Sequence, residues 1–416
     1  MPIISKQLFD KVVSSDITCI SIIHPSTESC VKGLYDMALS TTIGSSKFFL
    51  LIYVLQTITK WKKINKNFIK KQIKAYIRSM CYALCYLFGF CNSVCLLRKC
   101  MTKFNFYSIA LSGTCAGLSI FVESKENKAL NTSIFLNMVV ETIFRRLYWK
   151  KSLIRNVFRE ALIFMCCSAI LQYLLRTKKN KSRILNFWKV FSKISLYLYN
   201  TKVKINCFRF YYPPIAKELN GICNHKYSCS EYIFKGFFNY FIMGYILNLL
   251  KYWAPRINIA FKHPKSLLIE SLKKDKVLFG MLFGGYVGVF RIIQCILRKS
   301  YKKEEALHFA VAGFLAGSAY LFRPTISILA ICITTALQLL IQRIDYKNIF
   351  QSKLPTTEIV FALCSGFLFH NRFLLSDSCP QYVKMAMNSI TNGKVDELYQ
   401  QALRLFEDHL TEAAVI

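Results

Sequence analysis

Two halves of this chain carry the same short sequences about 200 residues apart, and this internal repeat constrains the fold more than any other feature. One repeated segment ends in an Arg-Lys pair, another has glycines four residues apart, and a third is rich in aromatic and small residues. Such a repeat predicts a duplicated structural unit rather than two unrelated domains. The paired segments are Cys95–Lys99 with Cys295–Lys299, Gly113–Gly117 with Gly313–Gly317, and Phe164–Ser168 with Phe361–Ser365.

Each copy is a series of apolar runs separated by short basic loops. The chain is 54% hydrophobic and only 19% charged, and a membrane helix needs about 20 apolar residues. We therefore predict an all-α, polytopic integral membrane protein with two repeated helical bundles. The predicted segments are 45–60, 78–97, 104–122, 130–148 and 158–175 in the first copy, and 231–252, 277–297, 306–322, 324–342 and 357–375 in the second.

This segmentation divides the chain into five predicted parts. They are a Cys-containing N-terminal segment (1–44), a first membrane repeat (45–175), a basic linker with a Cys/His cluster (176–230), a second membrane repeat (231–375) and an amphipathic C-terminal tail (376–416).

The number of membrane crossings is predicted to be eight to ten, because the first segment of each copy is ambiguous. If all ten segments cross, the odd number per copy inverts the second repeat. If eight cross, the repeats are parallel. Lys and Arg are distributed evenly between the two sides with ten crossings and unevenly with eight, which favours eight by the positive-inside rule.

The net charge of +34 restricts the partners that we expect. The basic residues lie in short loops between apolar segments, so we expect contact with anionic lipids and no nucleic acid. Most of the 17 cysteines lie inside apolar runs, where a thiol is a small packing group. We expect no cofactor. The chain also lacks the phosphate-loop, nucleophile-elbow and zinc-protease motifs, and we expect it not to be an enzyme.

Glycines at intervals of four residues predict close helix contacts. Such spacing forms a flat groove that a second helix can approach closely, either within one bundle or from a membrane-protein partner or a second copy of the chain. The residues of this helix-packing or partner face are Gly113, Gly117, Gly280, Gly284, Gly288, Gly313 and Gly317.

Few ionisable residues interrupt the apolar runs. Arg291 either extends toward the lipid headgroups or is buried as a polar site. Glu141 has Arg145 one helical turn later, which predicts a local ion pair. His308 follows Glu304 at the same spacing near a helix start.

Two Cys/His clusters lie outside the apolar runs. Thiolate and imidazole groups bind zinc, but these spacings differ from those of paired C-x2-C structural sites, so the favoured interpretation is incidental thiols. A metal site and a redox-active or acylated cysteine are the alternatives. The clusters are Cys19, His24 and Cys30, and Cys223, His225 and Cys229.

These motifs, in this order, resemble the transmembrane protein 135 family, also called peroxisomal membrane protein 52. Cys19, His24-Pro25 and Cys30 resemble its cysteine-rich opening, Cys223–Phe237 resembles its second Cys/His segment, and His308–Gly317 resembles its most recognisable helix. This chain is shorter and has fewer cysteines in the second Cys/His segment. The glycine-spaced four-helix units also resemble, distantly, the mitochondrial inner-membrane translocase family.

The resemblance implies a multi-pass membrane protein of mitochondria, peroxisomes or both. It implies a non-enzymatic role in the balance of mitochondrial fission and fusion, in peroxisome organisation and in lipid metabolism, and it brings no catalytic residues. The alternative hypothesis is a lipid or small-solute transporter with its pathway between the two repeats.

Overall fold

Twelve α-helices make up the part of the chain that the computed structural model describes, and no β-strand occurs in that part. The structure describes residues 27–59, 64–101, 105–149, 154–177, 228–253, 273–303, 305–341 and 355–415, together with Phe9, Cys19, His24 and Cys223. The helices of the first half are α1 (Cys30–Thr59), α2 (Lys66–Cys100), α3 (Ser108–Gly117), α4 (Lys125–Trp149) and α5 (Val157–Thr177).

The second half repeats this series and adds two helices. The helices are α6 (Cys229–Trp253), α7 (Lys274–Tyr301), α8 (Ala306–Ala316), α9 (Ile326–Ile341), α10 (Thr356–Leu374), α11 (Gln381–Ile390) and α12 (Lys394–Val415). Helices α3 and α8 each continue into a 3-10 turn, Leu118–Val122 and Gly317–Phe322. All ten apolar segments are thus helical, and the predicted all-α class is confirmed.

Local sequence explains where the longest helices begin and end. Helix α2 begins after Asn65, whose Oδ1 accepts a hydrogen bond from the backbone N–H of Phe68 at 2.7 Å. Its last turn carries Arg98 and Lys99, where positive charge interacts favourably with the negative end of the helix dipole. The last turn of α7 carries the repeat-equivalent pair Arg298 and Lys299.

Helix α1 is longer than the sequence predicted. The prediction began at residue 45, whereas the helix begins at Cys30. Its first half is rich in small and polar residues, so it does not resemble an apolar segment. Helix α1 packs closely against the C-terminal region at Gly44. A Cβ at this position would lie 2.5 Å from the backbone oxygen of Ile390.

Within the described residues, four helices are long and apolar enough to cross a membrane. They are Cys30–Val54 within α1, α2, α5 and α7. The shorter apolar helices are Ser108–Val122, Ala306–Phe322 and Ile326–Ile341. The prediction of eight crossings left out the segment that lies in α1. The length and composition of α1 are nevertheless those of a membrane-crossing helix. The total number of crossings stays a prediction.

The helices form two compact units that do not follow the order of the sequence repeats. Unit 1 comprises Met1–Leu153 and Ser352–Ile416, and unit 2 comprises Ile154–Gln351. The fifth helix of the first copy, α5, therefore lies in the unit built from the second copy, and α10 lies in the unit built from the first. The repeats as read from sequence, 45–175 and 231–375, exchange their last helices.

The exchanged helices occupy equivalent positions in the same register. A Cβ on Gly117 of α3 would lie 2.5 Å from the Cα of Ala362 in α10, and a Cβ on Gly317 would lie 2.6 Å from the Cα of Met165 in α5. Met165 and Ala362 are themselves paired by the sequence repeat. Because both contacts use the same small residues, each fifth helix fits the other copy's glycine groove.

Each unit has its own apolar core. In unit 1, Phe90 of α2 stacks on Phe369 of α10 with ring centroids 4.2 Å apart, and Leu398 and Tyr399 of α12 pack in the same cluster. The predicted amphipathic tail helix is therefore part of this core. In unit 2, Phe164 of α5 stacks on Tyr320 at 5.0 Å, surrounded by apolar residues of α9.

Candidate functional site

All seven glycines singled out in the sequence contact helices of their own unit. Gly113 and Gly117 face α10, and Gly313 and Gly317 face α5. In unit 2 a second interface joins α6 and α7, where a Cβ on Gly284 would lie 2.8 Å from the backbone oxygen of Phe237. The remaining glycines of this interface are Gly280 and Gly288, which face Phe241 and Phe237. The chain itself covers these grooves, so a partner has to use another surface.

Arg291 is buried in the α6–α7 interface. Its guanidinium carbon lies 4.1 Å from the centroid of the Tyr232 ring, and its Nη1 donates to the backbone oxygen of Tyr232. The side chain fits there because α6 has Gly236 at the contact, where a Cβ would lie 2.5 Å from the guanidinium carbon. Arg291 therefore packs near the start of α6 instead of extending to the surface.

Glu141 forms the predicted pair with Arg145. Arg145 Nη2 and Glu141 Oε1 are 2.8 Å apart, and the carboxylate is buried. The hydroxyl of Tyr382 donates to its other oxygen, Oε2, at 2.8 Å, which links α4 to α11. The ring of His308 packs at a tilt against that of Tyr301, with ring centroids 5.0 Å apart, across the turn between α7 and α8. Glu304, its predicted neighbour, lies outside the described residues.

Several buried polar contacts were not predicted. In unit 2, Ser168 donates to the backbone oxygen of Gly313 at 2.9 Å and contacts the Tyr286 hydroxyl at 2.7 Å. The buried carboxylate of Glu160 accepts a hydrogen bond from Tyr320 at 2.9 Å. Because these partners of Ser168 and Glu160 lie more than 100 residues away in the sequence, only the tertiary structure could reveal these pairs.

The first Cys/His cluster gains a fourth member in the structure. Cys19, His24 and Cys30 each place one donor atom within 4.8 Å of the others and of Cys95, in the last turns of α2. The two sulfur atoms of Cys19 and Cys30 are 3.7 Å apart. Burial raises the pKa of the Cys19 thiol, and Cys30 raises it further.

The orientation of the His24 ring is fixed by a hydrogen bond to the backbone. Its Nδ1 lies 2.8 Å from the backbone oxygen of Thr27, which identifies Nδ1 as the protonated nitrogen. The side chain is 3% exposed, and Nε2 is buried without a hydrogen-bond partner among the described residues. Gly33 makes room for the ring, because a Cβ there would lie 2.3 Å from the Cβ of His24.

The second cluster brings together three cysteines, the same number as the first, at the equivalent place in unit 2. Cys223, Cys229 and Cys295 also lie with their sulfur atoms within 4.8 Å of one another. Cys295 is the repeat equivalent of Cys95. Burial raises the pKa of the Cys223 thiol, and Cys229 raises it further. His225, which the sequence also placed in this cluster, lies outside the described residues.

Sequence reasoning assigned Cys95 and Cys295 to membrane packing because they lie in apolar runs. The available signal was their position at the start of the repeated Cys–x–x–Arg–Lys segments. This position places them near a helix end and not in the middle of an apolar run. The cluster of unit 1 offers three thiols and one imidazole, and that of unit 2 offers three thiols. These groups suit a thiophilic metal ion.

Comparison with known proteins agrees with the resemblance noted in the sequence. A family model described as the N-terminal cysteine-rich region of Transmembrane protein 135 matches residues 16–147. This range includes Cys19, His24, Cys30 and Cys95, and helices α1 to α3 in full. No solved structure matches the chain. The match supports assignment to that family, as the resemblance predicted.

Proposed function

From the match to the Transmembrane protein 135 family, we propose that this chain is a non-enzymatic membrane protein of mitochondria, peroxisomes or both. Its proposed role is to influence the balance of mitochondrial fission and fusion, peroxisome organisation and lipid metabolism. It acts by packing against membrane-protein partners or a second copy of itself in a bilayer that contains anionic lipids.

The observation that supports a membrane setting is the distribution of side chains across the helices. Besides the apolar core, small and polar residues are buried in the helix contacts, and many other large apolar side chains face outward. On α5, for example, Phe158 is 77% exposed and Leu162 is 54% exposed. Lipid tails stabilise such a surface, whereas water does not.

The outward face of α5 is the surface that we propose for a partner, because the glycine grooves are already covered. A variant with Phe158→Ala and Leu162→Ala removes two side chains that are more than half exposed. We expect it to insert normally in cells that lack the endogenous protein, yet to fail to restore mitochondrial length and peroxisome number. The matched control, Phe234→Ala with Phe238→Ala, removes similar apolar area from α6.

The experiment has a clear contrary outcome. If the α5 variant restores both organelle phenotypes as well as the unchanged chain does, the proposed partner surface is excluded. If the unchanged chain is found in neither organelle by imaging with compartment markers, the proposed location is excluded as well.

A lipid or small-solute transporter remains the second candidate, favoured by the two-fold repeat and by the buried charge of Arg291 in an apolar helix. It predicts flux in liposomes that falls with Arg291→Leu and is kept with Arg291→Lys. A topology measurement separates the candidates further. Split-fluorescent tags after Lys66 and Lys302 on opposite sides indicate parallel repeats, and tags on the same side indicate inverted repeats, which favours transport.

A further inference from the structure

The cluster of Cys19, His24, Cys30 and Cys95 has the dimensions of a tetrahedral metal site. Two thiolates bound to one Zn²⁺, with Zn–S bonds of about 2.3 Å, are roughly 3.8 Å apart. The sulfur atoms of Cys19 and Cys30 are 3.7 Å apart. A disulfide would need about 2.05 Å. The spacing therefore suits two ligands of one ion.

His24 is oriented as metal-binding histidines are. One ring nitrogen, Nδ1, is held by a backbone carbonyl, which leaves the lone pair of Nε2 available. A buried nitrogen with no hydrogen-bond partner costs free energy, and coordination would remove that cost. The ring is held against α1 by the absence of a side chain at Gly33.

The second unit provides an independent occurrence of the same arrangement. Cys223 and Cys229 are six residues apart in the sequence, whereas Cys19 and Cys30 are eleven apart. Both pairs of thiols nevertheless lie beside the repeated cysteine of their own unit, Cys95 or Cys295. Incidental thiols would have to converge twice at equivalent helix positions.

We propose that Cys19, His24, Cys30 and Cys95 bind a structural Zn²⁺ ion, and that Cys223, Cys229 and Cys295 bind a second one. Three cysteine thiols release three protons as they bind the ion as thiolates, and neutral His24 completes the first site through Nε2. In the first site four protein ligands leave no position open for substrate, so its role is structural. The ion ties the segment before α1 to the end of α2.

The test measures zinc in the full-length chain, purified in detergent with a reductant and without a chelator. We expect about two zinc ions per chain, falling by about one in Cys95→Ser and by about one in Cys295→Ser. The matched control is Cys100→Ser, because Cys100 lies five residues after Cys95 at the exposed end of the same helix and outside the cluster. We expect its zinc content to equal that of the unchanged chain.

A second measurement does not depend on whether Cys95→Ser folds. X-ray absorption of the Cys295→Ser chain, which retains only the first site, should give three sulfur neighbours at about 2.3 Å and one nitrogen at about 2.0 Å. Neighbours that are all oxygen or nitrogen would identify adventitious zinc and overturn the proposal. Absence of zinc together with a Cys19–Cys30 disulfide in mass spectrometry would also overturn it and favour a redox pair.

Discussion

At the scale of single residues, the structure depends on charged groups whose partners are far away in sequence. Arg372 of α10 is 2% exposed, and its Nη2 lies 2.7 Å from Oδ1 of Asp396 at the start of α12. Its guanidinium carbon also lies 4.2 Å from the centroid of Tyr399. These contacts attach the C-terminal tail to unit 1 through a buried charge, which the tail's amphipathic pattern alone did not predict.

Replacing Asp396→Asn should lower the free energy of unfolding by about 2 kcal/mol, because the buried guanidinium loses its charged partner. Thermal or denaturant unfolding of the detergent-purified chain measures the change. The matched control is Glu397→Gln, the next residue, which pairs with the exposed Lys394 and should change stability by less than about 0.5 kcal/mol. Equal effects of the two substitutions would contradict the assigned role of Arg372.

Cys379, in the turn between α10 and α11, should make unit 1 sensitive to alkaline pH. Burial raises the pKa of its thiol from the ordinary value of 9.0 to about 11. Because the folded-state pKa lies above the unfolded one, the stabilisation is complete below pH 9 and is lost as pH rises through 11. In Cys379→Ala the decline of the unfolding midpoint over this range should be shallower, whereas Cys100→Ala should leave it unchanged. Identical slopes in all three proteins would show that Cys379 does not contribute.

At the scale of elements, the exchange of α5 and α10 is the feature that the sequence could not reveal. Repeated glycines predicted where helices would meet, and all ten apolar segments are helical. The partner of each groove was ambiguous because Phe164–Ser168 and Phe361–Ser365 present nearly the same surface in the same register. A pattern that is the same in both copies cannot specify which copy supplies the fifth helix.

An ion pair between copies provides a direct test of the exchange. Lys128 of α4 and Glu358 of α10 lie 2.9 Å apart, and both side chains are mostly buried. Lys128→Glu or Glu358→Lys alone places like charges together and should cost about 1–3 kcal/mol of stability, while the double reversal should recover most of it. The comparison pair is Lys235 and Glu231, an exposed pair within α6.

The charge-reversal cycle distinguishes the exchanged arrangement from the unexchanged one. A coupling free energy near zero for Lys128 and Glu358, measured by unfolding of the two single variants and the double variant, would mean that α10 does not pack against α4. A large coupling for the exposed α6 pair would show that the assay responds to charge alone.

At the scale of the whole molecule, the two units have equivalent helices but are assembled differently from the chain. Unit 2 is contiguous from Ile154 to Gln351, whereas unit 1 joins the N-terminal helices to the last part of the chain. The sequence repeat correctly predicted two helical bundles. Cys95 and Cys295 were predicted to be membrane-packing thiols, because their neighbours in the sequence are apolar and one thiol does not change how such a segment is interpreted.

Equivalent glycine substitutions should destabilise one unit each. Gly117→Leu forces a side chain into the backbone of α10, and Gly317→Leu forces one into α5, each at a cost of about 1–3 kcal/mol or more. Hydrogen exchange of the purified chain should show lost protection in unit 1 for the first variant and in unit 2 for the second. The control, Val311→Leu, adds apolar volume on the exposed face of α8. Loss of protection throughout the chain in every variant would contradict two separately packed units.

The exchanged helices also determine the order in which the protein can be completed during synthesis. About 200 residues separate Leu153 from Thr356, so a ribosome that adds 5–20 residues per second reaches α10 roughly 10–40 s after α4. During that interval the residues of unit 2 are synthesised, and the groove at Gly113 and Gly117 has no helix to cover it. The half of the molecule whose translation begins first is therefore the last to close, and its early helices remain an unfinished bundle until α10 is made.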